Sequence, residues 1–157
     1  MRELIYWDSC VFISYLEGTP GRIVVLEDIV HHIRNNPNRL LVTSAVSKVE
    51  VAFVSYERSQ QQLHPDIEAQ IDRMWADDEV VEIADFHELI ARRARDLIRK
   101  ALTDGFRMKP YDATHLATAQ ALGVKEFHTY DDKLDKFDTL IGIPIIRPYT
   151  EYPRLPL

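Results

Sequence analysis

Residues 3–17, ELIYWDSCVFISYLE, decide the fold. The run LIYW is apolar without alternation, as in a strand covered on both faces, and SCVFISYL then continues as a helix. A strand that hands over directly to a helix is the opening half of a parallel crossover unit. Asp8 stands at the junction, where another hydrophobic residue would simply have lengthened the strand.

Working outward, the same order repeats. Strands are expected at 3–7, 40–42, 80–83, 126–129 and 143–146, and helices at about 9–17, 21–35, 44–58, 65–76, 86–103 and 111–122, with a turn near 132–137. The fold class is therefore α/β with a five-stranded parallel sheet. Pro144 cannot donate a ladder hydrogen bond, which puts the last strand at a sheet edge. In the fourth helix Ile67, Ile71, Met74 and Trp75 form an apolar stripe expected to pack into the core. The tail at about 148–157, rich in proline, is expected to run extended.

With 157 residues, 46% of them hydrophobic, residues 1–157 are expected to form one domain with a real core. A formal charge of −6 argues against a generic nucleic-acid coat but leaves room for a locally basic surface. The single cysteine, Cys10, excludes an internal disulfide. No apolar run approaches the roughly 20 residues of a membrane span, and the N-terminus lacks a signal-peptide pattern. A cytoplasmic protein without membrane contact is expected.

Four acids then stand out. Asp8 follows the first strand, in the region where open α/β sheets collect ligands. Glu50 lies among Val46, Phe53 and Val54 on the helix after the second strand, and a charge in an apolar stripe demands a partner. Asp112 opens the helix YDATHLATAQAL, with Ala113, Ala117 and Ala121 offering a smooth packing surface, and Asp131 follows the fourth strand. Like charges gathered in one crevice oppose each other's ionisation unless a cation is present. Carboxylates without a histidine or cysteine cluster suit Mg2+ or Mn2+, and such an ion supports phosphodiester hydrolysis.

Each acid also has an ordinary use. Asp8 is placed to N-cap the following helix, Glu50 to complete a capping box with Ser47, Asp112 to favour the positive helix end, and Asp131 with Asp132 to shape a turn. His115, on the helix of Asp112, reads as a satisfied structural histidine, and Cys10 as a small buried hydrophobe. No glycine-rich phosphate loop is present.

Taken together, YWDSCVFISYL, VTSAVSKVEVAF, MKPYDATHLATAQALG and FHTYDDKL, in this order, resemble the PIN domain family and, within it, the VapC-like ribonuclease toxins of type II toxin–antitoxin modules. The resemblance implies a three-layer α/β/α sandwich and a metal-dependent endoribonuclease, with a cognate antitoxin as partner and RNA as substrate. It assigns Asp8, Glu50, Asp112 and Asp131 to an acidic metal cluster and Thr129 to a supporting hydroxyl. The motif here is TYDD, so Asp132 is the alternative fourth acid. Homodimerisation is left open.

Between residues 92 and 109, seven basic side chains, Arg92, Arg93, Arg95, Arg99, Lys100, Arg107 and Lys109, outnumber Asp96 and Asp104. With Leu89, Ala94, Leu97, Ile98 and Ala101 on the apolar side, Arg92, Arg95, Arg99 and Lys109 are candidate RNA contacts. Two other readings remain: a catalytically silent PIN-like module that binds RNA or protein, and an unrelated receiver-type phosphoacceptor. An aspartate-nucleophile phosphatase, the other doubly wound alternative, would require an acid two residues after Asp8, where Cys10 stands, and a receiver's acidic pair would precede its phosphoacceptor, which this order does not provide.

Overall fold

The computed structural model describes residues 1–151; the rest of the expected tail, 152–157, lies outside the described residues. The chain runs β1 (Glu3–Trp7), α1 (Ser9–Glu17), α2 (Ile23–Arg34), β2 (Arg39–Ser44), α3 (Val46–Glu50), α4 (Ser55–Gln60), α5 (Pro65–Ala76), β3 (Val81–Ala84), α6 (Glu88–Thr103), α7 (Pro110–Leu122), β4 (Glu126–His128), a 3-10 turn (Asp135–Phe137), α8 (Asp138–Ile141) and β5 (Ile145–Ile146). All strand pairs are parallel, in the order β3-β2-β1-β4-β5, so every strand ends on the same side of the sheet. Among the described residues no helix is long and apolar enough to cross a membrane.

The central strand β1 sorts its side chains by parity. Tyr6 pairs with Val42 and Phe127 in register and joins the core under α6 and α7, where its ring stacks on Phe127 at 4.8 Å. Ile5 and Trp7 face the opposite core with Leu41, Val81 and the helices α1 and α2. Helices thus cover both faces, completing the α/β/α sandwich. Trp7 and Phe12 meet at 5.3 Å, and each buried aromatic of this kind contributes on the order of 2–3 kcal/mol.

Five expectations are corrected. The helix expected over 44–58 divides into α3 and α4, because side-chain carboxylates replace the helical acceptors: Glu17 accepts from the Ser55 N–H at 2.7 Å, and the buried Glu57 accepts from Val54 and His64. Phe53 consequently leaves the expected stripe and is 39% exposed. On α5 none of the stripe residues is fully buried; Met74 and Trp75 only lean on the core, with Trp75 4.9 Å from Phe12. On α6 Leu89 is exposed and Ile90 takes the inward position. On α7 burial runs unbroken from Ala113 to Ala119, while Ala121 is exposed. The last strand is an edge strand, as Pro144 requires, but begins only after that proline, whose carbonyl accepts from Phe127 at 2.9 Å.

Gly123 caps α7 in the left-handed conformation (φ 64°), which turns the chain sharply into β4. Since α7 leads into the start of β4, its own first turn lies back at the strand-end side of the sheet. Asp112 is carried to the side where β1, β2 and β4 terminate.

Candidate active site

At the end of β1, Asp8 is extended (φ −78°, ψ 175°) and its carboxylate accepts from the Val11 N–H at 3.4 Å, so it does cap α1. It does more than cap. The residue is only 6% exposed, and burial pushes its carboxyl pKa up despite hydrogen bonds from Cys10, Thr129 and the Val11 N–H. The Cys10 thiol donates to Asp8 at 2.8 Å, and burial together with the Asp8 charge pushes that thiol up to about 12. It therefore stays protonated, and its role is donation to Asp8 as well as packing.

Thr129 follows β4 and joins two acids. Its hydroxyl bonds Asp8, lies 3.5 Å from the Cys10 sulfur, and accepts from the Asp131 N–H at 3.0 Å. Asp131 accepts from the Lys133 N–H at 2.9 Å, which gives it the turn-forming role as well. Asp132 is engaged elsewhere, by Arg147 at 2.9 Å.

Asp112 sits in the first turn of α7, part-buried. Burial is the largest cause raising its pKa; the charge of Asp131 raises it further and that of Asp8 adds to this, against the opposing field of Lys109. Asp8, Asp112 and Asp131 thus share one field, from three separate elements. Glu50 reaches the same neighbourhood differently: at the end of α3 its Oε1 meets His115 Nε2 at 2.5 Å, and no capping box with Ser47 forms, since Ser47 bonds Thr43 at 2.7 Å. Among the described residues no group of three or more histidine, cysteine or acidic side chains is placed to hold a metal ion.

Of the candidate RNA contacts, Arg92 pairs with Glu88 at 3.0 Å and Arg95 with Asp96 at 3.6 Å; both remain mostly exposed, as do Arg99 and Lys109. Lys109 caps α7, three residues before Asp112. Sequence reasoning missed Tyr6, which reads as an ordinary strand residue yet bonds His115, and Arg22, whose guanidinium lies 3.9 Å over the Tyr130 ring beside Asp131. Neither carries a local signal.

A family model for the PIN domain matches residues 5–140. The chain belongs to the PIN domain family. No curated protein matches it by sequence. Among solved structures, it is similar to a chain of the DNA-bound VapBC2 complex of Rickettsia felis (TM-score 0.69, 14% identity, 94% of this chain and 99% of that one). It is similar too to Mycobacterium tuberculosis VapC20, described as a sarcin–ricin loop cleaving toxin (TM-score 0.62, 14% identity, 96% and 99%). A third is the FitAcB structure from Neisseria gonorrhoeae (TM-score 0.61, 20% identity, 92% and 97%). At these identities the likeness is one of fold, and it agrees with the sheet order and helical layers of this PIN domain.

Proposed function

We propose that this PIN domain is a Mg2+- or Mn2+-dependent endoribonuclease, the toxin of a toxin–antitoxin pair, with Asp8, Glu50, Asp112 and Asp131 as its acidic cluster. The observation that carries the reading is the shared field at Asp112, whose carboxyl is pushed up by burial and by Asp131 and Asp8. A fold that gathers acids in this way gains from a divalent cation. The donor set fits in kind: all four are hard carboxylate oxygens, and Mg2+ is characteristically held by one or two carboxylates plus water and substrate phosphate, so a preformed group of three protein ligands is not needed.

In this mechanism Asp8, Glu50, Asp112 and Asp131 would hold the ion, Thr129 and Cys10 fix the Asp8 rotamer, and His115 steadies Glu50. The bound ion would supply charge neutralisation of the phosphodiester and a more acidic water. Lys109 and the arginines of α6 attract the RNA backbone toward Asp112. Thr129 serves as the supporting hydroxyl, and Asp131 is preferred over Asp132 because Arg147 holds the latter.

An antitoxin segment has a fitting seat. A groove of about 350 Å3 opens between α1, α2 and α5, floored by Trp7, Phe12, Tyr15 and Leu16 and rimmed by Glu27 and Arg73. The Trp7 indole N–H beneath it is buried and has no hydrogen-bond partner among the described residues.

The test is cleavage of a panel of structured RNAs, including a sarcin–ricin hairpin, with and without Mn2+, by the wild type and Asp8→Asn. Cleavage that needs both Mn2+ and Asp8 supports the proposal. RNA binding without cleavage by either protein would favour the silent-module reading.

A further inference from the structure

Behind the acids lies a chain of hydrogen bonds that the cation-binding reading does not require. Tyr6, on the central strand, is fully buried and cannot reach solvent. Its hydroxyl receives the Ser44 backbone N–H at 3.0 Å and also bonds the Thr43 hydroxyl, which is itself 2.7 Å from Ser47. Accepting from Ser44 leaves the phenol's own proton free for an acceptor. The third neighbour is His115 Nδ1, at 2.6 Å. A phenol keeps its proton at neutral pH, so that proton is present to donate.

A neutral imidazole whose Nδ1 accepts must carry its hydrogen on Nε2. Nε2 faces Glu50 Oε1 at 2.5 Å, so it donates to the carboxylate. The opposite tautomer would set a nitrogen lone pair against a carboxylate oxygen at the same distance, two acceptors with no proton between them. The orientation of the ring is fixed as well, since His115 is 3% exposed and meets the Tyr6 ring edge-on, centroids 5.7 Å apart.

Glu50 needs such help. It ends a five-residue helix just before the break at 51–54, and its side chain is 24% exposed, so backbone structure alone leaves its rotamers free. We propose that Tyr6 and His115 form a buried positioning relay, in which the phenol sets the imidazole tautomer and the imidazole holds the Glu50 carboxylate in one orientation beside the strand ends. The relay spans the three elements that carry the site: β1 runs on into Asp8, α7 bears Asp112 one turn before His115, and α3 bears Glu50. This inference rests on the ribonuclease reading for its functional consequence, while its hydrogen-bond pattern stands independently.

The experiment uses the full-length protein labelled with 15N-histidine, as wild type, Tyr6→Phe, His115→Gln and His115→Ala. Tyr6→Phe keeps the ring and its stacking on Phe127 and removes only the hydroxyl; His115→Gln keeps an N–H donor for Glu50. Long-range 1H–15N spectra are expected to show His115 as the Nε2–H tautomer in wild type and a mixture in Tyr6→Phe. Mn2+ affinity, read by electron paramagnetic resonance without RNA, should weaken by about 10-fold or more in His115→Ala, as for other groups that orient a metal ligand. It should weaken less in Tyr6→Phe and be partly restored in His115→Gln. On RNA, kcat should fall with KM nearly unchanged. An Nδ1–H tautomer in wild type, or unchanged Mn2+ affinity in both Tyr6→Phe and His115→Ala, overturns the relay. A wild type that folds, shows the Nε2–H tautomer and binds no Mn2+ instead overturns the ribonuclease reading, and the positioning role with it.

Discussion

Arg147 grips both carboxylate oxygens of Asp132, at 2.9 and 3.1 Å, and so occupies the acid that immediately follows Asp131. Asp131 lies within the field of Asp112 instead. Asp131→Asn should therefore reduce RNA cleavage by roughly 100-fold or more, on the scale of losing one charge-stabilising group, while Asp132→Asn stays within about twofold of wild type. Cleavage rates of the two variants under identical Mn2+ decide the matter; the reverse ranking would assign the fourth acid to Asp132.

Stability should move the other way from activity. The Asp8 and Asp112 carboxyls both have folded-state pKa values above the ordinary one, Asp8 through burial and Asp112 through burial and then the neighbouring acids. Between the unfolded and folded pKa the native state binds more protons, so their contribution to stability falls as pH rises through that window and the penalty is complete above it. With a chelator present, Asp8→Asn and Asp112→Asn should melt above wild type at neutral pH, the difference shrinking in acid. Melting curves across that pH range check it, and a lower neutral-pH melting temperature for both would contradict the assignment.

The α6 surface predicts a salt effect. Arg92 and Arg95 each have an acidic neighbour, whereas Arg99 is exposed on the same helix and Lys109 stands beside Asp112. Replacing Arg99 and Lys109 by alanine should weaken RNA binding across sequences and lower the slope of log affinity against log salt by about 0.7 per lost phosphate contact. An unchanged slope would remove these residues from the RNA path.

Much of this was legible in sequence because it is local. Unalternating strands, a helix beginning directly after Asp8, and Pro144 limiting the last strand each follow from near neighbours. The break after α3 was not, because its cause is distant: Glu17 and Glu57 supply acceptors that a helix would otherwise provide, and Glu17 lies 38 residues from Ser55. The α5 stripe had the right period but lies over a groove, and its residues stay half-buried. In the site, the acids could be singled out by type and place, but the Tyr6–His115 bond joins residues 109 apart and has no local signature. His115 was expected to be a satisfied structural histidine, and both of its nitrogens are indeed bonded, one of them to Glu50.

The most direct measurement is anomalous diffraction from crystals soaked in Mn2+, collected at the manganese edge for wild type and Asp112→Asn. The account predicts a peak bonded to carboxylate oxygens of Asp8, Glu50, Asp112 or Asp131 in the wild type, lost or much weakened in Asp112→Asn. A wild-type map with no peak among these acids at saturating Mn2+, or a peak that Asp112→Asn leaves unchanged, would contradict it.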